Sequence, residues 1–148
     1  MTRCERVRLH GTIQVALAPD RAFALFTPRG ERVWAEDWDP EFPSPCAHDA
    51  EPGTVFTTSH GQHLRLWTVI RREGDSAIAY SVTSPGDRAG LIGVVLERSS
   101  SGSSVTVSHD FTALVPQANP GLRDLAANYG RVLRHWEESI ARALAIKA

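Results

Sequence analysis

The stretch that decides the fold lies near the C-terminal end of the chain, where residues 119–146 read NPGLRDLAANYGRVLRHWEESIARALAI. Apolar residues recur every three or four positions and charged residues fall between them, which is the pattern of an amphipathic helix. Asn119 suits a helix N-cap and Pro120 the first helical position, so we expect the helix to begin there. At about 1.5 Å per residue it would be roughly 40 Å long, enough to lie across a whole sheet.

The segments that precede this helix have the features of β-strands. Between Val7 and Leu17 apolar residues alternate with polar ones, which predicts a half-buried strand. Further strands are predicted at residues 54–60, 63–72, 77–84, 90–99 and 104–114. The turns between them are too short for parallel crossovers, so these strands form an antiparallel meander.

Between the first strand and the meander the pattern is helical and then irregular. Pro19 favours the start of a short helix whose buried side carries the phenylalanines that follow. A second short helix is expected over residues 29–34, and a proline-rich loop over residues 38–52. The predicted fold is therefore a single α+β domain over residues 1–148. A curved antiparallel sheet of about six or seven strands would wrap around the long C-terminal helix.

Composition and charge argue against several classes of function. Lys and Arg total 16 against 17 for Asp and Glu, and neither sign forms a long block, so no nucleic-acid partner is expected. The first residues are charged and no apolar run approaches the roughly 18 residues of a membrane span. We therefore predict no signal peptide, no membrane insertion and a cytoplasmic location. Cys4 and Cys46 have no C-x-x-C partner and are predicted to be free thiols.

Three stretches resemble a known superfamily. They are VALAPDRAFALF at 15–26, PRGERVWAEDWDP at 28–40 and VTVSHDFTAL at 105–114. With the order of elements, they resemble the START/Bet v1-like superfamily, also called SRPBCC or polyketide cyclase/dehydrase-like, over nearly the whole chain. The second stretch is similar to a bacterial subgroup with a Gly-Glu-Arg-x-Trp then Trp-x-Pro pattern, in which a glycine often stands where this chain has Asp37. Aspartate tolerates a left-handed backbone better than most residues, so the turn is expected to survive.

The resemblance implies the helix-grip fold, in which the sheet and the long helix enclose either a packed core or a pocket. Its members bind lipids, hormones or polyketides, assist chaperones or cyclise aromatic products, so three functions stay open. The first is binding of a small hydrophobic or aromatic molecule in the cavity. The second is a polyketide cyclase/dehydrase-like (aromatase/cyclase) enzyme. The third is a chaperone-cofactor-like protein-interaction domain with an exposed apolar patch. No cofactor is predicted, and a homodimer is compatible with the chain.

The candidate ligand-binding residues are mainly aromatic, and they outnumber the rings that one packed core of this size needs. They either interlock as core or line a pocket. The predicted set is Trp34, Trp38, Phe56, Trp67, Tyr80, His109, Phe111, Tyr129 and Trp136. His109 shares a strand face with apolar residues, so it is either a satisfied core histidine or an acid–base group. His109 and Tyr80 are the first catalytic candidates if the protein is an enzyme.

Polar residues outside this set are weaker candidates. A cluster of carboxylates near the expected mouth of the cavity reads more simply as a solvated loop: Glu36, Asp37, Asp39 and Glu41. His60 and His63 flank a predicted turn, but a metal needs further ligands, so no metal site is predicted. Arg65 and Arg88 would anchor an anionic group if they reach the cavity. The face of Arg65 stays open because the pattern over residues 63–72 is mixed.

Overall fold

A six-stranded antiparallel sheet and C-terminal helices dominate the computed structural model, which describes residues 3–147. Met1, Thr2 and Ala148, and with them the start of the charged N-terminal segment, lie outside the described residues. The strands are β1 (Arg6–Val15), β2 (Val55–His60), β3 (His63–Glu73), β4 (Ala77–Ser84), β5 (Arg88–Ser99) and β6 (Gly102–Ala113). Their order across the sheet is β1-β6-β5-β4-β3-β2. The meander from β2 to β6 therefore pairs consecutive strands, and β1 returns to the edge beside β6.

Short helices cover one end of the sheet and longer ones cross it. Helix α1 (Pro19–Ala22) continues into a 3-10 turn (Phe23–Phe26), and a second 3-10 turn, the Gly30 turn, spans Gly30–Val33. After β6 a third 3-10 turn (Pro116–Ala118) leads into α2 (Asn119–Ala127) and α3 (Tyr129–Lys147). The predicted α+β helix-grip architecture is confirmed.

The C-terminal helical region differs from the prediction in two details. The single predicted helix is interrupted at Asn128, whose backbone (φ −113°, ψ 14°) leaves helical geometry. Asn119 is not the N-cap, because its buried side chain serves the N-terminal segment instead. Its carboxamide oxygen accepts a hydrogen bond from the backbone N–H of Glu5 (2.8 Å), and its nitrogen donates to the carbonyl of Arg3 (2.7 Å). A contact with the N-terminal segment therefore replaces the local cap.

The concave face of the sheet is built by the alternation within each strand. Tyr80, Ile92 and His109 are paired across β4, β5 and β6 and form one buried row on this face. Helix α3 crosses beside β1, where a Cβ at Gly11 would stand 2.5 Å from Cδ1 of Leu133. The missing side chain lets the helix approach this edge of the sheet closely. On the part of the concave face that lies away from β1, the Gly30 turn covers the sheet instead.

Three smaller predictions are also addressed by the structure. β1 ends at Val15 rather than at Leu17. Cys4 is exposed, Cys46 is partly buried, and both are free thiols as predicted. Within residues 3–147, no helix has both the length and the apolar character that crossing a membrane requires.

Candidate functional site

A cavity of about 190 Å³, the inner cavity, lies between the concave face of the sheet, the Gly30 turn and α3. Its sheet side is formed by Arg65, Trp67, Tyr80, Ile92, Val94 and His109. Its opposite side, the roof, is formed by Phe26, Glu31, Trp34, Ala35, Trp38 and Trp136. The wall is therefore largely aromatic and carries a carboxyl, a guanidinium, an imidazole and a phenol.

The Gly30 turn positions the roof through local geometry. A Cβ at residue 30 would stand 1.6 Å from the carbonyl oxygen of Ala24, so only glycine fits this turn. The backbone N–H of Gly30 donates to Oγ1 of Thr27 (3.1 Å), which fixes the entry of the chain. In a 3-10 helix, residues three apart lie on the same side. Glu31 and Trp34 therefore both reach the inner cavity.

Two indoles of the roof are held by hydrogen bonds to the backbone. Nε1 of Trp34 donates to the carbonyl of Leu25 (2.7 Å), and Nε1 of Trp38 donates to the carbonyl of Pro28 (2.6 Å). The ring of Trp34 packs on that of Trp136 from α3, with centroids 5.3 Å apart. Because the indole N–H groups of Trp34 and Trp38 are already bonded to the backbone, their rings offer mainly apolar surface to the cavity.

Glu31 is the cavity group that the sequence pattern did not single out. It lines the cavity, and within residues 3–147 it has no ion-pair partner, so burial alone raises the pKa of its carboxyl well above the usual range. A carboxyl held neutral in this way donates a hydrogen bond. A signal was present in the quoted motif: Glu31 stands three residues before Trp34, the spacing that shares one side of a 3-10 turn.

His109 lies near the middle of β6 with only 7% of its surface exposed. Its Nδ1 is 2.7 Å from the hydroxyl of Tyr129, which also lies within 3.3 Å of the carbonyl of Val107. Burial and then the charge of Arg65 lower the pKa of His109 to about 4, so the imidazole is neutral near pH 7. Among residues 3–147, Nε2 has no hydrogen-bond partner, and no polar side-chain atom there is both unpaired and fully buried. Nε2 is thus open to the inner cavity.

The orientation of β3 brings Arg65 to the concave face. Arg65, Trp67 and Val69 point inward, whereas the apolar side chains of Leu64, Leu66 and Ile70 are exposed. A register shift between Val69 and Arg71 marks a β-bulge. The sequence pattern over residues 63–72 was mixed because apolar residues stand on both faces of β3, so alternation alone does not identify the buried face.

Arg65 stands at the boundary between the inner cavity and a surface cleft of about 710 Å³, the outer cleft. Trp38 and Trp67 also line both spaces, so these three side chains separate them. Burial and then the charge of Arg88 lower the pKa of Arg65, while Asp87 acts in the opposite direction. Arg88 itself lines only the outer cleft.

The predicted ligand-binding residues divide into two groups. Those at the wall of the inner cavity are Trp34, Trp38, Trp67, Tyr80, His109 and Trp136. The other three lie behind the wall. Phe56 is fully buried and stacks on Trp67 (5.5 Å), Phe111 packs edge-on against His109 (5.5 Å), and Tyr129 holds His109 through its hydroxyl. Ligand contact by any of them stays a prediction.

The two catalytic candidates differ in what they offer to the cavity. The hydroxyl of Tyr80 donates to the carbonyl of Phe26 (2.7 Å), and burial raises the pKa of this phenol. Its proton is therefore engaged and hard to remove. His109 has a neutral ring with an open nitrogen that can accept a proton, but a pKa of about 4 makes it a weak base near neutral pH. Of the two, His109 is the better placed for proton transfer.

The remaining polar candidates lie outside the inner cavity. The carboxylate cluster is exposed on the loop, where Asp39 pairs with Arg32 (2.8 Å). His60 and His63 face each other across the β2–β3 hairpin. In the part of the chain that the structure describes, no three His, Cys, Asp or Glu side chains gather closely enough to hold a metal.

Comparisons with known proteins agree on the fold. An uncharacterized protein from Rhizobium leguminosarum superposes with a TM-score of 0.69 at 18% identity, covering 96% of this chain and 99% of its own. Ara h 8.0201, a Bet v 1 allergen, gives 0.64 at 13% identity, covering 93% and 99%. DynU16, from the dynemicin biosynthetic locus, gives 0.58 at 15% identity, covering 90% of this chain and 46% of its own. No protein-family model and no curated protein sequence matches the chain. At these identities the likeness establishes the Bet v1-like helix-grip fold.

Proposed function

We propose that this protein binds a small aromatic or hydrophobic molecule in the inner cavity. The observation that carries the proposal is a space of about 190 Å³ left open among all 4 tryptophans of the chain. Protein interiors are close-packed, and voids larger than a water molecule are few. Binding sites are typically concave and apolar with a few directed polar groups, which is the composition of this wall.

The volume of the cavity limits the size of the ligand. Drug-sized ligands occupy pockets of roughly 300–1,000 Å³, whereas an apolar cavity of about 150 Å³ accommodates benzene. A cavity of about 190 Å³ therefore suits one aromatic ring or two fused rings. A longer molecule would extend past Arg65 into the outer cleft.

Screening by native mass spectrometry and thermal shift tests the proposal. The panel contains one-ring and two-ring aromatics, flavonoids and fatty acids, and we expect the small aromatics to bind and raise Tm. A Val94→Phe variant, which fills the cavity, should abolish the shift. Val95→Phe, the next residue on the opposite face of β5, is the matched control and should retain it. A panel without any binder, or binding that survives Val94→Phe, would refute the proposal.

A second candidate, catalysis of the aromatase/cyclase kind, is favoured by one observation. Glu31 and His109 share the inner cavity, and their environments move the two pKa values in opposite directions. Such a pair can supply a protonated acid and a neutral base at the same pH. If the bound molecule is turned over, Glu31→Gln and His109→Gln should each slow turnover while binding persists. Unchanged turnover in both variants would remove this role.

A further inference from the structure

The charged and titratable groups of the inner cavity are spread along its wall without pairing. Within residues 3–147 no ion pair joins Glu31 to Arg65, although both line the same space. Glu31 belongs to the roof of the inner cavity, whereas Arg65 belongs to its sheet side. The carboxyl and the guanidinium therefore belong to different parts of the wall, and the space between them is open to a ligand.

Arg65 is a partly buried cation that forms no ion pair among the described residues, and Asp87, which raises its pKa, pairs with Arg88 instead. Its neighbour Arg88 is different, because it pairs with Asp87 (2.7 Å) and lies over the ring of Phe111 (5.9 Å). Removing a cation from water is costly unless an anion or hydrogen-bond acceptors compensate it. An anionic group on the ligand would provide that compensation.

Two hydroxyl side chains can act as donors in the cleft that Arg65 lines. Thr58 is paired with Arg65 across β2 and β3, and Ser84 lies on β4; both line the outer cleft with Arg65. Oγ1 of Thr58 already accepts the indole N–H of Trp67 (3.0 Å), so its own proton is directed elsewhere. A guanidinium flanked by hydroxyl donors matches the acceptors of a carboxylate or phenolate.

The charge balance of the wall argues against a cationic ligand. Burial raises the pKa of Glu31 well above its usual range and lowers that of His109 to about 4, so burial disfavours the charged form of both side chains. Arg65 is the permanent cation of the inner-cavity wall. Its positive charge repels a cation and attracts an anion. When protonated, the Glu31 carboxyl can donate a hydrogen bond to an uncharged acceptor elsewhere on the ligand.

We propose that the ligand is an aromatic carboxylate or phenolate, whose ring occupies the inner cavity and whose anionic group pairs with Arg65. An acceptor atom at the far end of the ring system receives a hydrogen bond from Glu31. This assignment rests on the proposed function, since it specifies the chemical class of the molecule that the cavity binds. Arg65 thereby determines specificity, and the aromatic wall supplies apolar contact.

Calorimetric titration with naphthoate and with uncharged naphthamide tests the role of Arg65. We expect naphthoate to bind about ten- to a hundredfold more tightly than naphthamide, as for a hydrogen-bonded charge pair. Arg65→Gln should remove this difference and leave naphthamide binding nearly unchanged. Arg71→Gln makes the same charge change on the exposed part of β3 and should preserve the preference. Thermal unfolding of each variant verifies that it is folded.

A hydroxynaphthoate with its hydroxyl at the far end of the ring pair tests the role of Glu31. It should bind more tightly than naphthoate to the parent protein and to Glu31→Gln, which keeps a donor, but not to Glu31→Leu. Equal binding of naphthoate and naphthamide, or a preference that survives Arg65→Gln, overturns the anion assignment and leaves the proposed function intact. Failure of all three compounds to bind, while the screen also finds no ligand, overturns both.

Discussion

Asp37 shows how one residue supports the roof of the inner cavity. Its φ is 57°, and among residues 3–147 it is the one non-glycine residue with a positive φ. Aspartate tolerates this left-handed backbone, which costs other L-residues roughly 1–2 kcal/mol. The turn that the sequence pattern predicted at Asp37 is present, and it carries the chain from Trp34 to Trp38.

Asp37→Ala should therefore destabilise the protein by about 1 kcal/mol. Asp37→Gly is the matched control, because glycine adopts positive φ without strain and should leave the free energy of unfolding nearly unchanged. Urea denaturation measures both. An alanine variant as stable as the glycine variant would show that this backbone conformation carries no strain.

The hydrogen bond between His109 and Tyr129 fixes the imidazole in the cavity wall. The two side chains are buried, and burial raises the pKa of Tyr129 to about 12, so the hydroxyl keeps its proton near neutral pH. Tyr129→Phe would leave Nδ1 of His109 without this partner, at a cost of about 1–3 kcal/mol. A double-mutant cycle with His109→Phe measures the coupling in urea, and we expect about 1 kcal/mol. Strictly additive effects would contradict the prediction.

Among the elements, the Gly30 turn links fold and site most directly. Gly30→Ala would force its Cβ into the Ala24 carbonyl, so the turn must open and displace Glu31 and Trp34. We expect a loss of about 1–3 kcal/mol, the usual cost of overpacking, and a red-shifted tryptophan emission as the roof becomes hydrated. Gly61→Ala, in the exposed β2–β3 turn, is the control and should leave the emission unchanged. Native emission in Gly30→Ala would refute this role for the turn.

Strand positions were predictable because alternation is a local property, and the observed β4 has the predicted bounds of residues 77–84. Other features depend on contacts between distant segments. Asn119 looks like an N-cap from its neighbours alone, but its partners are Glu5 and Arg3 at the other end of the described chain. The break at Asn128 was missed because the apolar period continues across it. Local pattern therefore predicts elements better than it predicts their ends.

Which aromatic rings line the cavity depends on the tertiary arrangement of the whole molecule, so it could not be predicted from the sequence alone. Phe56, Trp67 and Tyr80 are all buried near one another, yet Trp67 and Tyr80 reach the open space while Phe56 lies behind Trp67. The difference depends on the curvature of the sheet and on the roof. Arg65 likewise could be assigned to the cavity only once the structure showed that Trp67 and Val69 form the buried face of β3.

Two cavity groups make stability depend on pH in opposite directions. The pKa of His109 is lowered to about 4, so the unfolded chain binds more protons below the usual value of 6.5. His109 therefore contributes stability above pH 6.5 that is lost as the pH falls toward 4, in all about 3 kcal/mol. The pKa of Glu31 is raised by burial. Its contribution is full below pH 4.5 and is lost as the pH rises through its folded pKa.

Urea midpoints measured between pH 4 and pH 8 separate the two groups. Compared with the parent protein, His109→Gln should have its relatively highest urea midpoint at the acid end, because its folded state has no imidazole that must stay neutral beside Arg65. Glu31→Gln should have its relatively highest urea midpoint at the alkaline end, because the amide beside Tyr80 never ionises. His10→Gln, exposed on β1, serves as the control for the histidine and should follow the parent profile. An anion bound at Arg65 would stabilise only the folded state. Added naphthoate should therefore raise every urea midpoint, while the opposite pH dependences of His109→Gln and Glu31→Gln remain. If the urea midpoints of His109→Gln and Glu31→Gln both change with pH as that of the parent protein does, burial in the cavity does not shift the pKa values of these two groups.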